Sequence, residues 1–293
     1  NIEQEVTSIE FTRTGRFERD NRPFFTEGSN FFSGGGGGMS GMGDQLFHSR
    51  AISDFDQGAK VYGKLDNLTS VGLMMTAEDG DRLDGVFFAS RILGSRSNVR
   101  LLATSTSATG VDNTVVGTFA RHGQGNYNFS GEYNVSNDGG PSDTSGRLNA
   151  SYSVPKLSSS LSYSWTDPDF DPALGFIRFT DRRGVQTFSN YTSEYRTGAL
   201  RSFSAFLFAS SFETFDNHTQ QKDASVFVSA TFRSDMSVNV GLDTERFMDE
   251  EERTATVGMN FRVSDRHNQH GFNYTFGERA SERSLLEAAV DRE

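Results

Sequence analysis

Stretch after stretch of this chain alternates apolar and polar residues with a period of two. At 157–165, Leu157, Leu161, Tyr163 and Trp165 alternate with Ser158, Ser160, Ser162 and Ser164. At 126–135, Tyr127, Phe129, Tyr133 and Val135 alternate with Asn126, Asn128, Ser130, Glu132 and Asn134. Met236, Val238, Val240 and Leu242 continue the pattern at 236–243, and Ala255, Val257, Met259, Phe261 and Val263 at 254–263. Side chains of a strand point to opposite faces in turn, so each stretch has one apolar and one polar face. Less clean stretches at 58–65, 69–77, 85–93, 98–106, 113–120, 146–154, 185–196, 201–212, 223–233 and 268–277 bring the count to about fourteen strands, with a range of 12–16 that reaches sixteen if 5–12 and 46–52 join them. Turn signals such as Glu78-Asp79-Gly80-Asp81 and Asn137-Asp138-Gly139-Gly140-Pro141 separate them.

A long antiparallel meander with one apolar face is either a soluble sandwich or propeller, or a transmembrane barrel whose apolar face meets lipid. Strand segments of about ten residues match the tilted crossing of a bilayer. The polar faces read as Ser and Asn, and no blade-length repeat is visible. The fold expected is therefore all-β: an antiparallel, up-and-down transmembrane barrel over residues 56–278 with both ends periplasmic, placed in the bacterial outer membrane with its lipid as the surrounding partner.

Composition agrees. Of 293 residues, 27 are Phe and 30 are Gly, against 5 Pro. No run approaches the length of a spanning helix. The net charge of −11 argues against nucleic acid as a partner. Cysteine is absent, which removes disulfides, thiolate metal sites and a Cys nucleophile.

Two segments lie outside the meander. Residues 1–55 hold Phe24-Phe25, Phe31-Phe32 and the run Gly34–Gly38, and read either as a plug or mouth segment with a glycine-rich loop or as a plain linker. At 279–293, Ser284 and Glu287 have capping-box spacing ahead of Leu285, Leu286, Ala288, Ala289 and Val290, which predicts a short helical tail.

Several blocks resemble a family of long exported bacterial proteins. They are Phe17-Glu18-Arg19-Asp20-Asn21-Arg22-Pro23-Phe24-Phe25-Thr26-Glu27-Gly28, then Leu46-Phe47-His48-Ser49-Arg50, Gly58-Ala59-Lys60-Val61-Tyr62-Gly63-Lys64 and Asp167-Pro168-Asp169-Phe170-Asp171-Pro172-Ala173-Leu174-Gly175-Phe176. The family joins an amino-terminal sandwich, similar to carbohydrate-binding family 9, to a carboxy-terminal domain of unknown function expected to be an outer-membrane barrel. The resemblance spans residues 10–278 and has no counterpart of the sandwich. It implies such a domain, other envelope proteins or a glycan as partners.

Candidate chemistry is sparse. Asp167, Asp169 and Asp171 stand at alternate positions, as oxygen ligands of calcium do, although Pro168 and Pro172 stiffen the segment and favour a rigid turn. His267 and His270 lack the spacing of a zincin, and no Gly-x-Ser-x-Gly elbow exists. Glu132 and Asp243 fall on polar faces where they could line a lumen. Basic residues gather in the first third: Arg19, Arg22, Arg50, Lys60, Lys64, Arg91 and Arg100. Charge on a lipid face is costly, so Lys60 and Lys64 should point inward. We expect Arg19, Arg22, Glu27, Arg50, Lys60, Lys64 and Arg91 to form a lumen or plug charge network, in which the Arg22/Glu27 segment folds into the lumen and pairs with the inward charges, or else makes a mouth-loop salt bridge. The function expected is a channel or a membrane anchor; the alternatives are surface-polysaccharide binding or hydrolysis, and a structural subunit of a membrane assembly. No catalytic residue is expected.

Overall fold

A computed structural model describes residues 20–32, 44–248, 250–265, 267–279 and 282–292. It is nearly all β. Its strands are β1 (Gln57–Lys64), β2 (Thr69–Glu78), β3 (Arg82–Gly94), β4 (Ser97–Ala108), β5 (Val111–Gln124), β6 (Tyr127–Asn137), β7 (Asp143–Val154), β8 (Leu157–Thr166), β9 (Arg182–Glu194), β10 (Leu200–Glu213), β11 (Thr219–Phe232), β12 (Met236–Phe247), β13 (Glu250–Phe261), β14 (His270–Arg279) and β15 (Glu282–Arg292). Hydrogen-bonded order follows chain order from β1 to β15, so the expected antiparallel up-and-down meander is what the chain forms. Each of the fourteen alternating stretches coincides with one of β1–β14.

Short turns permit this order. Thr109-Gly110 alone joins Ala108 to Val111, and Gly110 takes φ 81°, a region that a side chain disfavours. The longest connection between neighbouring strands, Asp167–Asp181, is where the chain leaves the ladder.

Expectations about the flanks need correction or fall outside the described residues. The tail is a strand and not a helix: β15 pairs antiparallel with β14, from His270↔Arg292 to Arg279↔Glu282. An isolated helix this short is marginal in water, whereas the edge of β14 offers a row of unsatisfied donors and acceptors. Residues 46–52, a possible extra strand, instead form a 3₁₀ turn at Ser49–Ala51 after an isolated bridge from Gln45 to Phe176. The possible strand at 5–12 and the run Gly34–Gly38 lie outside the described residues.

The chain divides into two compact units. The first comprises residues 1–123, 130–148 and 165–181; the second comprises 124–129, 149–164 and 182–293. In the first, one face leaves Val61, Leu73, Met75, Leu83, Phe87 and Val116 exposed, while the other buries Met74, Val86, Phe88, Leu102 and Val115. In the second, one face leaves Val185, Leu207, Val226, Val240, Leu242, Val257 and Phe276 exposed. Its opposite face carries hydroxyls and amides, for example Ser204, Ser229, Asn239 and Asn273 around Gly258 in one cross-strand row.

Trp165, the single tryptophan, lies against a glycine of β7. A Cβ on Gly146 would come within 2.4 Å of the Trp165 ring and 2.7 Å of the Glu132 carbonyl. Trp165 also donates its indole N–H to Thr144 Oγ1 at 3.2 Å. Gly146→Ala therefore displaces the ring at a cost of about 1–3 kcal/mol. The variant should show a shifted tryptophan emission maximum and a lower urea midpoint; an unchanged spectrum would contradict the contact.

Candidate functional site: a segment seated on the strand wall

The even-numbered face of β1–β4 and the odd-numbered face of β5 form a wall. In register, Tyr62, Gly72, Phe88, Leu102 and Gly117 make one row, and Lys60, Met74, Val86, Thr104 and Val115 the next. Three segments cover it: 20–32, 44–55 and the loop after β8. Phe25, Phe32, Leu46, Phe47, Ile52, Phe170 and Leu174 bury themselves against Met74, Val86, Phe88, Leu102 and Val115 in a single apolar cluster.

Glycines decide where the segments fit. A Cβ on Gly72 would meet the Phe32 ring at 3.0 Å. On Gly117 it would meet Leu46 at 2.2 Å and Asn134 Oδ1 at 2.6 Å, and on Gly58 it would meet Phe55 at 2.8 Å and Phe24 at 2.9 Å. Each of these three strand glycines is thus a socket into which a segment side chain drops. Gly28 works in the other direction: at φ 65° it lies against the Tyr62 ring, which is 2.5 Å from where its Cβ would be.

Charge fixes the ends. Arg22 binds Asp20 through two nitrogens, at 3.0 and 2.6 Å, and donates to the carbonyls of Ile52 and Ser49, both at 2.8 Å. Its guanidinium also stacks 4.3 Å from the Phe25 centroid. Arg22 therefore ties 20–27 to 49–53. From the wall, Arg82 pairs with buried Asp84 at 2.9 Å and reaches the Ala51 carbonyl at 3.3 Å. Thr106 Oγ1 completes Asp84 at 2.9 Å. Lys60 donates to the carbonyl of Phe24 and, at 2.6 Å, to that of Glu27, with the Glu27 carboxylate 3.9 Å away. Tyr62 donates its hydroxyl to Glu27 Oε1 at 3.2 Å.

The structure thus brings part of the expected charge network together. The Arg22/Glu27 segment meets the wall through two different partners: Arg22 pairs with Asp20 and points to the 49–53 carbonyls, while Glu27 overhangs β1 beside Lys60. Arg50 sits in the last turn of the 3₁₀ segment. Lys64 shares the parity of Lys60 but lies exposed at the end of β1. Arg91 has the opposite parity and reaches Thr69 Oγ1 at 3.4 Å on the exposed side, away from the seated segments. Arg19 lies outside the described residues.

The structure does not gather the three aspartates expected to hold calcium. Among the described residues no group of three or more His, Asp or Glu side chains could hold a metal. Asp167 spends its Oδ2 on Thr144, accepting from the backbone N–H at 2.7 Å and from Oγ1 at 2.8 Å. At Asp171 it is the backbone carbonyl that matters, accepting from Asn113 at 2.9 Å and Ser136 at 2.8 Å. The loop is instead an anchored turn: Gln45 and Phe176 exchange backbone bonds of 2.7 Å, and His48 N–H reaches the Leu174 carbonyl at 2.6 Å.

Missing from the sequence reading were Asp20, Arg82, Asp84, Asn113 and the socket glycines. A usable signal existed. Met74-Met75, Phe87-Phe88, Leu101-Leu102 and Val115-Val116 are apolar doublets in four successive strands. A doublet places one apolar side chain on each face, which a wall with a purely polar inner face would not need.

No family profile and no curated protein matches the chain. Among solved structures it is similar to a loop L8 deletion mutant of OmpT, an outer membrane protein of Vibrio cholerae, with 8% sequence identity, 80% of this chain and 98% of that chain covered, and a TM-score of 0.28.

Two predictions test the seat. Gly117→Val fills the Leu46 socket and should expel residues 44–55, costing about 1–3 kcal/mol and opening this segment to protease, while Gly85→Ala, which meets open space, should leave cleavage unchanged. Acid should loosen the same seat. Burial first, then the Arg50 charge, hold His48 below its ordinary 6.5, so the neutral imidazole is the docked form. Burial opposes ionisation of Asp20, but the Arg22 hydrogen bonds outweigh it and hold the carboxyl below its ordinary 3.8. Both groups are depressed, so both contributions are present above the ordinary values and lost as pH falls through the folded ones. The hydrogen-exchange protection of 44–55, measured relative to the unfolded chain at each pH, should fall below pH 6.5 and again below 3.8. His48→Phe should remove only the first step.

Proposed function

We propose that the sheet closes into an outer-membrane β-barrel that serves as a channel, with the seated segments narrowing its lumen. The observation that carries this reading is the exposed apolar set repeated strand after strand. In the first unit Val61, Leu73, Phe87 and Val116 leave one face uncovered, and in the second Leu207, Val226, Leu242 and Phe276 do the same. An uncovered apolar patch of this extent is far beyond what a soluble monomer shows, and a bilayer supplies its missing partner. The hydroxyl and amide rows of the second unit suit a wetted interior. The outer-membrane address follows from the same reading.

A second role, a membrane anchor for a partner domain, is favoured by one observation: the apolar wall of β2–β5 is filled by the chain itself. The family resemblance, in which a sandwich precedes the barrel, supports the same role.

Planar-bilayer recording separates the two. The full chain should show small, steady conductance. Deletion of residues 1–55 should enlarge it, and so should Lys60→Glu, which removes the donor to the Phe24 and Glu27 carbonyls while keeping the apolar seat. Silence from all three, with insertion verified by protease protection, would overturn the channel in favour of the anchor.

A further inference from the structure

On the polar face of the second unit, four phenylalanines stand together. Phe188 pairs in register with Phe208, and Phe206 with Phe227 one row away. Phe188 and Phe206 meet edge to face with centroids 5.4 Å apart. Phe227 is 41% exposed. Rings left open among serines and asparagines expose apolar area that a ligand would cover.

Carboxylates border the patch. Asp243 lies in the Phe188–Phe208–Ser225 row. Phe227 Cδ2 and Asp243 Oδ2 converge over Gly241, 3.5 and 3.8 Å from the point where a Cβ would stand. Asp223 gives one oxygen to Ser210 at 2.8 Å and to Gln221 at 2.6 Å, while its other oxygen, Oδ1, is buried with no hydrogen-bond donor. A buried carboxylate oxygen without a donor is rare and calls for a cation or a proton donor. The basic side chain that β9–β14 place on this face among the described residues is Arg182, which stands 3.7 Å over Phe212 and donates to Gln221. An anion is therefore repelled, and a neutral sugar, though its hydroxyls donate to carboxylates, leaves their charge unbalanced where a cation does not.

We infer that this patch binds an organic cation, its ammonium held between the Phe227 ring and the Asp243 carboxylate and its apolar body lying on Phe188, Phe206 and Phe208. Aromatic faces and a carboxylate together are the chemistry that recognises alkylammonium groups. The inference rests on the proposed channel only in that it names the class of solute the wall favours; binding itself can be read without transport.

The test is calorimetric titration of the full chain in detergent with choline, and with the uncharged isostere in which carbon replaces the ammonium nitrogen. Choline should give saturable heat and the isostere none. Asp243→Asn and Phe227→Leu should each weaken binding by about tenfold, and Phe227→Tyr should retain it. Val240→Ala, on the opposite face, serves as a control and should change nothing. Equal binding of the isostere, absence of choline heat, or indifference to Asp243→Asn would overturn the site. Conductance without choline binding would remove this inference and leave the channel; choline binding without conductance would do the reverse.

Discussion

A pleated strand presents every second side chain to one face, and in a long sheet each face has to find a partner. That constraint governs this molecule. One face is apolar along strand after strand and uncovered by protein. The other is continuously apolar where β2–β5 carry a second set of large side chains, and there the chain covers itself with residues 20–32, 44–55 and the loop after β8. In β9–β14 the same face turns to hydroxyls, amides and carboxylates around the phenylalanines of β9–β11.

The cover is held by shape before charge. Strand glycines at 58, 72 and 117 open sockets for Phe24, Phe32 and Leu46, and burying such side chains stabilises each contact by roughly 1.5–3 kcal/mol. The ion pairs add direction. Arg22 spends its nitrogens on backbone carbonyls and on Asp20, and Lys60 on the carbonyls of Phe24 and Glu27. Cations that satisfy main-chain oxygens lock a segment with little regular structure, which a simple side-chain pair would not do. The same lock leaves Glu27 partly free and makes Lys60 the hinge between segment and wall.

Face parity could be read from the sequence, and so could the inward set of Lys60 and the exclusion of Arg91 from it had the alternation been followed to the end of β3. Partners could not. Arg22 and Glu27 lie five residues apart yet serve different contacts, because Asp20 folds back on Arg22 while β1 delivers Lys60 from 33 residues away. Asp167, Asp169 and Asp171 have a ligand-like spacing, yet Asp167 serves Thr144 and Asp171 anchors the loop through its carbonyl, uses that spacing alone does not show. The tail misled for a related reason: a capping-box pattern measures local preference, and the open edge of β14 outweighed it.

By itself the sequence determined the meander. Period two recurs fourteen times with short turns between, and local sterics leave few other ways to satisfy so many alternating backbones. The tertiary structure alone decided which face is covered, by which residues and where a ligand finds room. Those outcomes depend on glycines, carbonyls and carboxylates brought together from distant positions, and no local pattern encodes a contact between residues that only the ladder register makes neighbours.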